Sequence, residues 1–202
     1  MTNKIIGIQG DKLDKINISS DTSIFLAHEA QKLGYKIFYY TPSNLSIIKN
    51  KTYANGVFLK FNYERKKFYK IYKKQKINVE NLKFILIRQD PPFNSEYLIT
   101  TLILDGLKKV KVINNPTAIR NVSEKLYSKH FIKYMPNTLF SNNIVEIKKF
   151  YNQNKSIIMK PINGYGGNQI HLIKDKFNKK LITNFLNKNG HSMFQKFLKN
   201  IS

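Results

Sequence analysis

The first half of the chain alternates short apolar runs with stretches of helical spacing. Residues 4–9 and 35–41 have the pattern of buried strands, and between them apolar positions from Asp21 to Gly34 recur as on one face of a helix. The same order then repeats as strand, helix and strand at residues 82–87, 95–109 and 111–114. Strands that alternate with helices are typical of an α/β fold built on a parallel sheet.

Two loops follow strands of this predicted sheet. Residues 9–21 come after the first strand, and residues 88–94 come after the strand at 82–87. Ligands of open parallel sheets bind beyond the carboxyl ends of the strands. We therefore expect a ligand site in these two loops.

Two local signals lie between the repeated elements. Asn55-Gly56 separates apolar pieces at residues 44–48 and 57–61, which predicts a β-hairpin with its turn at 55–56. Residues 65–76 (RKKFYKIYKKQK) interleave basic and aromatic side chains, and we interpret them as a basic helix.

The pattern changes beyond Pro116. Helix patterns now fall at about residues 123–131, 144–152 and 177–186, and strand patterns at 138–140, 156–161, 169–173 and 193–198. We place a domain boundary here, which gives an N-terminal domain at residues 1–120 and a second at 121–202.

Composition narrows the class of protein. Of the 202 residues 42% are hydrophobic and 13% aromatic, so the chain can bury a substantial core, and its composition argues against wholesale disorder. The absence of Cys excludes a disulfide framework, a cysteine-ligated zinc site and a thiol nucleophile. No apolar run approaches the ~18 residues of a membrane span, and the N-terminus lacks the apolar region of a signal peptide. We expect a soluble cytoplasmic protein with no membrane partner.

The net charge of +23, from 35 Lys+Arg against 12 Asp+Glu, raises the question of a nucleic-acid partner. Arg occurs only at positions 65, 88 and 120, whereas bidentate recognition of bases and phosphates favours Arg over Lys. Outside residues 65–76 the lysines are dispersed, and they accompany abundant Asn, Ile, Tyr and Phe, as A/T-rich codons would produce. We favour a solvated lysine-rich face and keep a basic nucleic-acid-binding protein as an alternative.

A glycine-rich loop follows a lysine in the second half. Lys160 lies near the end of the strand pattern at 156–161, and Gly164, Gly166 and Gly167 come soon after it. Glycines let backbone N–H groups approach a phosphate closely, and a nearby lysine supplies positive charge. The spacing matches neither the P-loop nor the dinucleotide fingerprint, and a plain turn between strands is the alternative. Lys125 precedes this loop on a predicted helix, and taken alone it is a surface lysine.

The order of these features carries more information than any one of them. A lysine on a helix, a lysine ending a strand, a glycine-rich loop and a later strand with Gln195 form the layout of ATP-grasp ligases. Six segments resemble the bacterial glutathione synthetase family in sequence and order: INISSDTS (16–23), HEAQKLGYKIFYYTP (28–42), ILIRQDPPF (85–93), VINNPTAIRNVSEKL (112–126), MPNTLF (135–140) and IIMKPINGYGG (157–167). The resemblance covers nearly the whole chain. It implies a Rossmann-like, parallel-sheet pre-ATP-grasp domain followed by the first, incomplete part of an ATP-grasp domain.

The resemblance also implies an activity, that of an ATP-dependent carboxylate–amine ligase, a glutathione synthase. In this reaction ATP phosphorylates the cysteinyl carboxylate of γ-glutamylcysteine, and the glycine amine attacks the acyl phosphate to give glutathione, ADP and phosphate. The residues that match the family's nucleotide-binding positions are Lys125, Lys160, Gly164, Gly166, Gly167, Gln195, Phe197 and Leu198. Another ATP-grasp amino-acid ligase is the alternative within this class.

The resemblance places γ-glutamylcysteine in the two loops that the strand order also selects. The matching residues there are Asn17, Ser19, Asp21 and Arg88. Arg88 could hold a carboxylate through two parallel hydrogen bonds. The structural alternative for Arg88 is an ion pair with Asp90 or Asp21.

Chains of this family run past the position of Ser202 by about half the present length again. The resemblance assigns to that further part the acidic and Asn ligands of Mg²⁺ and the arginines that hold phosphate and glycine, so we expect no metal ligand and no catalytic residue in this chain. Asp175 is the only acidic residue after Glu146, which agrees. We expect a fragment without ligase turnover by itself, and the resemblance implies a homo-oligomer for the full-length form.

Overall fold

The computed structural model describes residues 4–62 and 67–199. The chain forms two compact units, the first ending at Asn121 and the second beginning at Val122. The first unit contains strands β1 (Ile5–Gln9), β2 (Lys36–Tyr40), β3 (Leu45–Ile48), β4 (Lys51–Phe61), β5 (Tyr69–Asn78), β6 (Phe84–Ile87) and β7 (Lys111–Ile113), and helices α1 (Thr22–Lys32), α2 (Ser95–Asp105) and α3 (Pro116–Asn121).

The sheet of the first unit has a parallel centre and an antiparallel extension. Strands β2, β1, β6 and β7 lie side by side and all pair in parallel. Strand β4 pairs antiparallel with β2, β3 and β5. The parallel α/β sheet predicted from the alternating pattern is confirmed, and the antiparallel hairpins widen it on the β2 side.

The two faces of this sheet bury separate apolar clusters, because side chains alternate along each strand. On one face Ile6 and Ile8 of β1 pack with Ile24 of α1. On the other face Phe38 of β2 packs in a cluster with Leu104 of α2. The two helices thus cover opposite faces and leave the carboxyl ends of β1 and β6 open to the loops that follow them.

The predicted hairpin turn at Asn55-Gly56 is wrong. The turn between β3 and β4 lies at Lys49 and Asn50, which have φ values of 47° and 59°, as a tight two-residue hairpin requires. Gly56 lies inside β4 instead. A Cβ at position 56 would lie 2.5 Å from the Phe38 ring and 2.6 Å from the Tyr39 carbonyl oxygen, so the glycine serves a close approach between strands.

The predicted basic helix at residues 65–76 is also wrong. Residues 69–76 belong to strand β5, which pairs along the length of β4, while residues 65 and 66 lie outside the described residues. Tyr and Ile favour strands when an apolar neighbour such as β4 offers pairing, and lysines are common on strands at a sheet edge. Lys70, Lys73, Lys74 and Lys76 therefore lie exposed on an edge strand.

The second unit is an antiparallel sheet covered by helices. Its strands are β8 (Thr138–Ser141), β9 (Ile157–Pro161), β10 (His171–Ile173) and β11 (Ser192–Lys196), in the order β10, β9, β11, β8, and its helices are α4 (Glu124–Tyr127), α5 (Ile144–Asn154) and α6 (Lys179–Asn189). A 3-10 helix at Ser128–Tyr134 follows α4.

One face of this second sheet forms the core of the unit. Ile157 and Met159 of β9 and Phe194 of β11 are fully buried together with Ile147 of α5 and Ile182 of α6. Alternation along the strands turns the residues between them to the opposite face. That opposite face carries the polar side chains described below.

In the described part of the chain, no helix has the length and apolar character needed to cross a membrane.

Candidate functional site

A row of hydrogen-bonded polar side chains crosses three strands of the second unit. Lys160 Nζ on β9 donates to Gln195 Oε1 on β11 at 2.7 Å, and Gln195 Nε2 donates to Thr138 Oγ1 on β8 at 3.0 Å. Register explains the row: Gln195 pairs with Thr138 on one side and with Ile158 on the other, and Lys160 lies two residues beyond Ile158 on the same face of β9, within reach of the Gln195 side chain. Gln195 is 8% exposed, so the row fixes the Lys160 side chain in one orientation.

A second lysine lies close to the first. Lys125 Nζ donates a hydrogen bond to the Gly164 carbonyl oxygen, and its side chain is 13% exposed. The pKa of Lys160 is lowered from its ordinary value, first because burial disfavours the charged form and then because Lys125 is positively charged. Two ammonium groups thus occupy one region of the unit.

Little negative charge offsets these two ammonium groups. The carboxylate of Glu124 lies 3.6 Å from Lys125 Nζ, but the Glu124 side chain is 76% exposed and solvent weakens the pair. An anion bound between the lysines would relieve their repulsion and accept hydrogen bonds from both. The donor set therefore fits a polyphosphate.

The glycine loop requires glycine for reasons visible in its geometry. A Cβ on Gly164 would lie 2.5 Å from the Pro161 ring, because the chain turns tightly after β9. Gly166 and Gly167 have φ values of +57° and +73°, in the region that side chains disfavour. The open backbone at Gly167, where an added Cβ would meet nothing within 4 Å, leaves room for a ligand to approach.

Phe197 and Leu198 continue the chain directly after β11. The Phe197 N–H donates to the Ser156 carbonyl oxygen at 2.9 Å, which keeps this segment beside the start of β9. Phe197 is half-buried and Leu198 is 39% exposed. Their contact with adenine stays a prediction.

In the first unit, Arg88 joins the two loops selected from the sequence. Its Nε donates to Ser23 Oγ at 2.9 Å, and its Nη2 donates to Thr22 Oγ1 at 2.7 Å. Among the residues described, Arg88 forms no salt bridge, so neither of the ion pairs with Asp90 or Asp21 is present. Two neutral hydroxyls orient the guanidinium and leave its charge available to an anion.

The other predicted substrate residues also have structural roles. Asp21 caps α1, because its carboxylate accepts from the Ser23 and Ile24 N–H groups at 2.6 and 3.1 Å. Asn17 Oδ1 accepts from the N–H and the hydroxyl of Ser19 at 3.1 and 2.7 Å, which closes a local turn. Both Asn17 and Ser19 are exposed.

Acidic groups surround this loop site. The Asp90 N–H donates to Asp11 Oδ2 at 2.8 Å, and the hydroxyl of Tyr39 donates to the Asp11 carbonyl oxygen at 2.6 Å. The pKa of Asp90 is raised, first by burial and then by the negative charges of Asp11 and Asp21, while Arg88 opposes the shift. The loops therefore place a guanidinium beside several carboxylates. This arrangement suits a ligand that carries both a carboxylate and an ammonium group, as an amino acid does.

Sequence reasoning missed several residues of these sites. Thr22, Ser23 and Asp11 hold the first-unit loops together, and Thr138 ends the polar row of the second unit. The position of Asp11 just after the first strand was the one usable signal, because it lies at the carboxyl end of a parallel strand. The roles of the hydroxyl groups depend on strand register, which the sequence pattern does not specify.

Within residues 4–62 and 67–199, no group of three or more His, Cys, Asp or Glu could hold a metal ion. The described donor set therefore fits the phosphates of ATP but does not fit a Mg²⁺ ion.

Family comparisons cover both units. The family model described as prokaryotic glutathione synthetase, N-terminal domain, matches residues 5–120, and the model described as prokaryotic glutathione synthetase, ATP-grasp domain, matches residues 124–202. The glutathione synthetase of Wigglesworthia glossinidia brevipalpis is 35% identical over 97% of this chain and 63% of its own length. That of Buchnera aphidicola from Acyrthosiphon pisum is 35% identical over 84% of this chain and 53% of its own length.

Solved structures support the same fold. A RimK domain ATP-grasp protein of Sphaerobacter thermophilus superposes with a TM-score of 0.60 at 10% identity, over 96% of this chain and 64% of its own. D-alanyl-alanine synthetase A of Vibrio cholerae gives a TM-score of 0.55 at 16% identity, over 98% and 60%. The chain thus spans about half to two thirds of the relatives it matches. With both units matched in order by the family's own domain models, the chain belongs to the prokaryotic glutathione synthetase family.

Proposed function

We propose that this chain binds ATP and γ-glutamylcysteine for ATP-dependent glutathione synthesis. The observation that carries the proposal is the pair of lysines at the glycine loop: Lys125 donates to the Gly164 carbonyl oxygen, and Lys160, four residues before Gly164, is oriented by Gln195. The pKa of Lys160 is lowered first by burial and then by the charge of Lys125, so the two ammonium groups influence each other. When bound, ATP supplies the phosphoryl group that activates a carboxylate for attack by an amine. The lysines neutralise its phosphates, and the loop amides at 165–167 donate to phosphate oxygens.

The residues of the first unit take the dipeptide in this proposal. Arg88, held by Thr22 and Ser23, binds a carboxylate of γ-glutamylcysteine. The carboxylates of Asp11 and Asp90 attract its ammonium group. Asn17 and Ser19 lie on the rim of the same loop and offer polar contacts, while Asp21 maintains the start of α1.

Further parts of the proposal concern the whole enzyme. Glycine is the second substrate and Mg²⁺ the metal that accompanies ATP, with no metal ligands assigned among the described residues. The protein acts in the cytoplasm as a homo-oligomer. Phe197 and Leu198 pack against adenine, at the end of the strand that carries Gln195.

A chimaera tests the activity. Residues 1–202 replace the matching region of the Wigglesworthia glossinidia glutathione synthetase, and product formation is followed by mass spectrometry with ATP, Mg²⁺, γ-glutamylcysteine and glycine. We expect glutathione and ADP in equal amounts. A folded, ATP-binding chimaera that ligates a different pair of amino acids would contradict the proposed substrates and favour another ATP-grasp ligase.

Arg88→Lys is expected to weaken γ-glutamylcysteine binding by about tenfold, because Lys keeps the charge but loses the two-pronged geometry. Isothermal titration of the 202-residue chain measures the effect. The matched control is Lys36→Ala. Lys36 is exposed at the amino end of β2, whereas the two loops lie at the carboxyl ends of the strands, so this variant should leave the affinity unchanged. Equal affinities of the wild type and Arg88→Lys would show that Arg88 does not hold the dipeptide.

The pH dependence of ATP binding follows from the lowered pKa of Lys160. Lys160 loses its proton at a lower pH than an ordinary lysine, and only the protonated form attracts phosphate. The ATP affinity therefore falls as the pH rises through this lowered pKa, and binding takes up a proton there. Lys160→Arg stays protonated and should remove this part of the pH dependence. The measurement is isothermal titration with ATP at several pH values, and two buffers of different ionisation enthalpy reveal the proton uptake. A slope that persists in Lys160→Arg would assign the titration to another group.

A further inference from the structure

Gln9 is a fully buried polar residue whose amide is only half satisfied. It ends strand β1 and is 0% exposed. Its Nε2 donates to Gln89 Oε1 at 2.5 Å, whereas its Oε1 is buried and has no hydrogen-bond partner among the described residues. Turning both amides over would leave Gln9 Nε2 unpaired instead, so one buried polar atom is left over in either orientation. Because such an atom lowers the free energy of unfolding, packing alone does not explain this amide.

The face of the sheet that Gln9 occupies is otherwise apolar at this point. Ile6 and Ile8 turn to the side covered by α1, so alternation along the strand turns Gln9 to the side covered by α2. Its neighbour on β6, Ile87, is buried in the apolar cluster of that side. An apolar side chain at position 9 would therefore suit the core better than Gln.

Gln9 and Gln89 connect the end of β1 to the loop that follows β6. The Arg88 N–H donates to the Gln9 carbonyl oxygen at 2.7 Å, and the Asp90 N–H donates to Asp11 Oδ2 at 2.8 Å. The side-chain bond from Gln9 to Gln89 lies between these two bonds along the chain. Three consecutive residues of the loop are thus tied to the end of β1 or to the residues just after it.

The same bonds orient Arg88 from both faces of the sheet. Its guanidinium donates to Ser23 and Thr22 at the start of α1, whereas the next residue, Gln89, is held by Gln9 on the α2 side. We propose that Gln9 and Gln89 are positioning residues that direct the Arg88 guanidinium toward the carboxylate of the dipeptide. This inference rests on the proposed function, because it requires Arg88 to bind γ-glutamylcysteine.

A double-mutant cycle tests the pair. Gln9→Leu and Gln89→Leu should each weaken γ-glutamylcysteine binding about fivefold, and the double variant should bind no more weakly than either single variant, because all three lose the same bond. Isothermal titration of the 202-residue chain measures the affinities, and that for ATP should stay unchanged. Losses that multiply to about 25-fold, or a much larger loss in Gln89→Leu than in Gln9→Leu, would show that the two residues act separately.

Stability separates a positioning role from a packing role. Gln9→Leu should not lower the midpoint of urea unfolding, because Leu fills the buried site and removes the unpaired polar atom. The control is Gln31→Leu on α1, since Gln31 pairs both amide atoms with the Phe61 backbone, at 2.9 and 2.7 Å. Gln31→Leu should be less stable and bind γ-glutamylcysteine as the wild type does. A Gln9→Leu variant that loses stability and keeps its affinity would show that Gln9 serves packing alone.

Hydrogen exchange tests the positioning role without any ligand. Gln9→Leu should speed amide exchange several-fold in peptides from residues 88–94, and Gln31→Leu should leave it unchanged. If the wild-type chain binds no γ-glutamylcysteine, the proposed function fails, while this measurement still decides whether Gln9 holds the loop. Unchanged exchange at residues 88–94 in Gln9→Leu would overturn the proposal.

Discussion

Lys160→Ala is expected to lower the ATP affinity of the 202-residue chain by about 30-fold, or about 2 kcal/mol. Lys160 is half-buried and held by Gln195 at 2.7 Å, so it offers a charge that is already oriented. Its removal leaves a phosphate oxygen without a charged donor in a region where Lys125 alone cannot replace it. Isothermal titration with ATP at fixed ionic strength measures the loss.

A matched lysine separates this local effect from the overall charge. Lys149 on α5 is 65% exposed and paired with Glu146, so Lys149→Ala should leave the affinity unchanged. Gln195→Ala should cause a smaller loss than Lys160→Ala, because it frees the lysine without removing the charge. Equal losses in Lys149→Ala and Lys160→Ala would mean that ATP binds through the general positive field of the chain.

Gly56→Ala should destabilise the first unit by about 3 kcal/mol. The added methyl would overlap both the Phe38 ring and the Tyr39 carbonyl oxygen, and the backbone oxygen cannot move without breaking the pairing of β2 with β4. The expected result is a lower midpoint of urea unfolding. Hydrogen exchange, measured in peptides from β4, should follow the loss of stability. Circular dichroism is a second probe, because the chain has no Trp for fluorescence.

Gly106→Ala is the control for this substitution. Gly106 has an ordinary helical φ of −73°. A Cβ added at this position would have the Ile103 carbonyl oxygen as its nearest neighbour, at 3.8 Å. Its stability should stay within about 0.5 kcal/mol of the wild type. If Gly56→Ala were as stable as Gly106→Ala, the close approach between β2 and β4 would be wrong.

The elements that the sequence predicts well are those set by local signals. Helix α1 lies where Asp21 and Gly34 mark its ends, because capping uses side chains within one turn of the helix. Strands β1 and β6 are confirmed because their runs of Ile and Leu are buried on both faces of a parallel sheet.

The two wrong predictions share one physical cause, which is pairing with a distant strand. Asn55-Gly56 has turn composition, but Gly56 is needed where β4 passes the Phe38 ring. The actual turn at Lys49 and Asn50 contains no Gly and gives a weak signal. Residues 69–76 form a strand because β4 is available to pair with them, which a local pattern cannot indicate.

The candidate sites were predictable only in part for the same reason. The loops at the strand ends follow from the order of strands and helices, and Lys160 with the glycine loop follows from adjacent positions. The contact from Lys160 to Gln195 joins residues that are 35 positions apart, and the bonds from Arg88 to Thr22 and Ser23 span more than 60. Such contacts depend on register, so the sequence indicates the participants without the partners that orient them.

Hydrogen exchange with ligands added separately tests the account most directly. ATP should slow amide exchange at residues 160–170 and 192–198 of the 202-residue chain, and γ-glutamylcysteine should slow it at residues 9–23 and 88–94. Lys125→Ala combined with Lys160→Ala should remove the first effect and leave the second. Protection by ATP that maps to strand β5, or that survives loss of both lysines, would contradict the claim that the lysine pair and the glycine loop bind ATP.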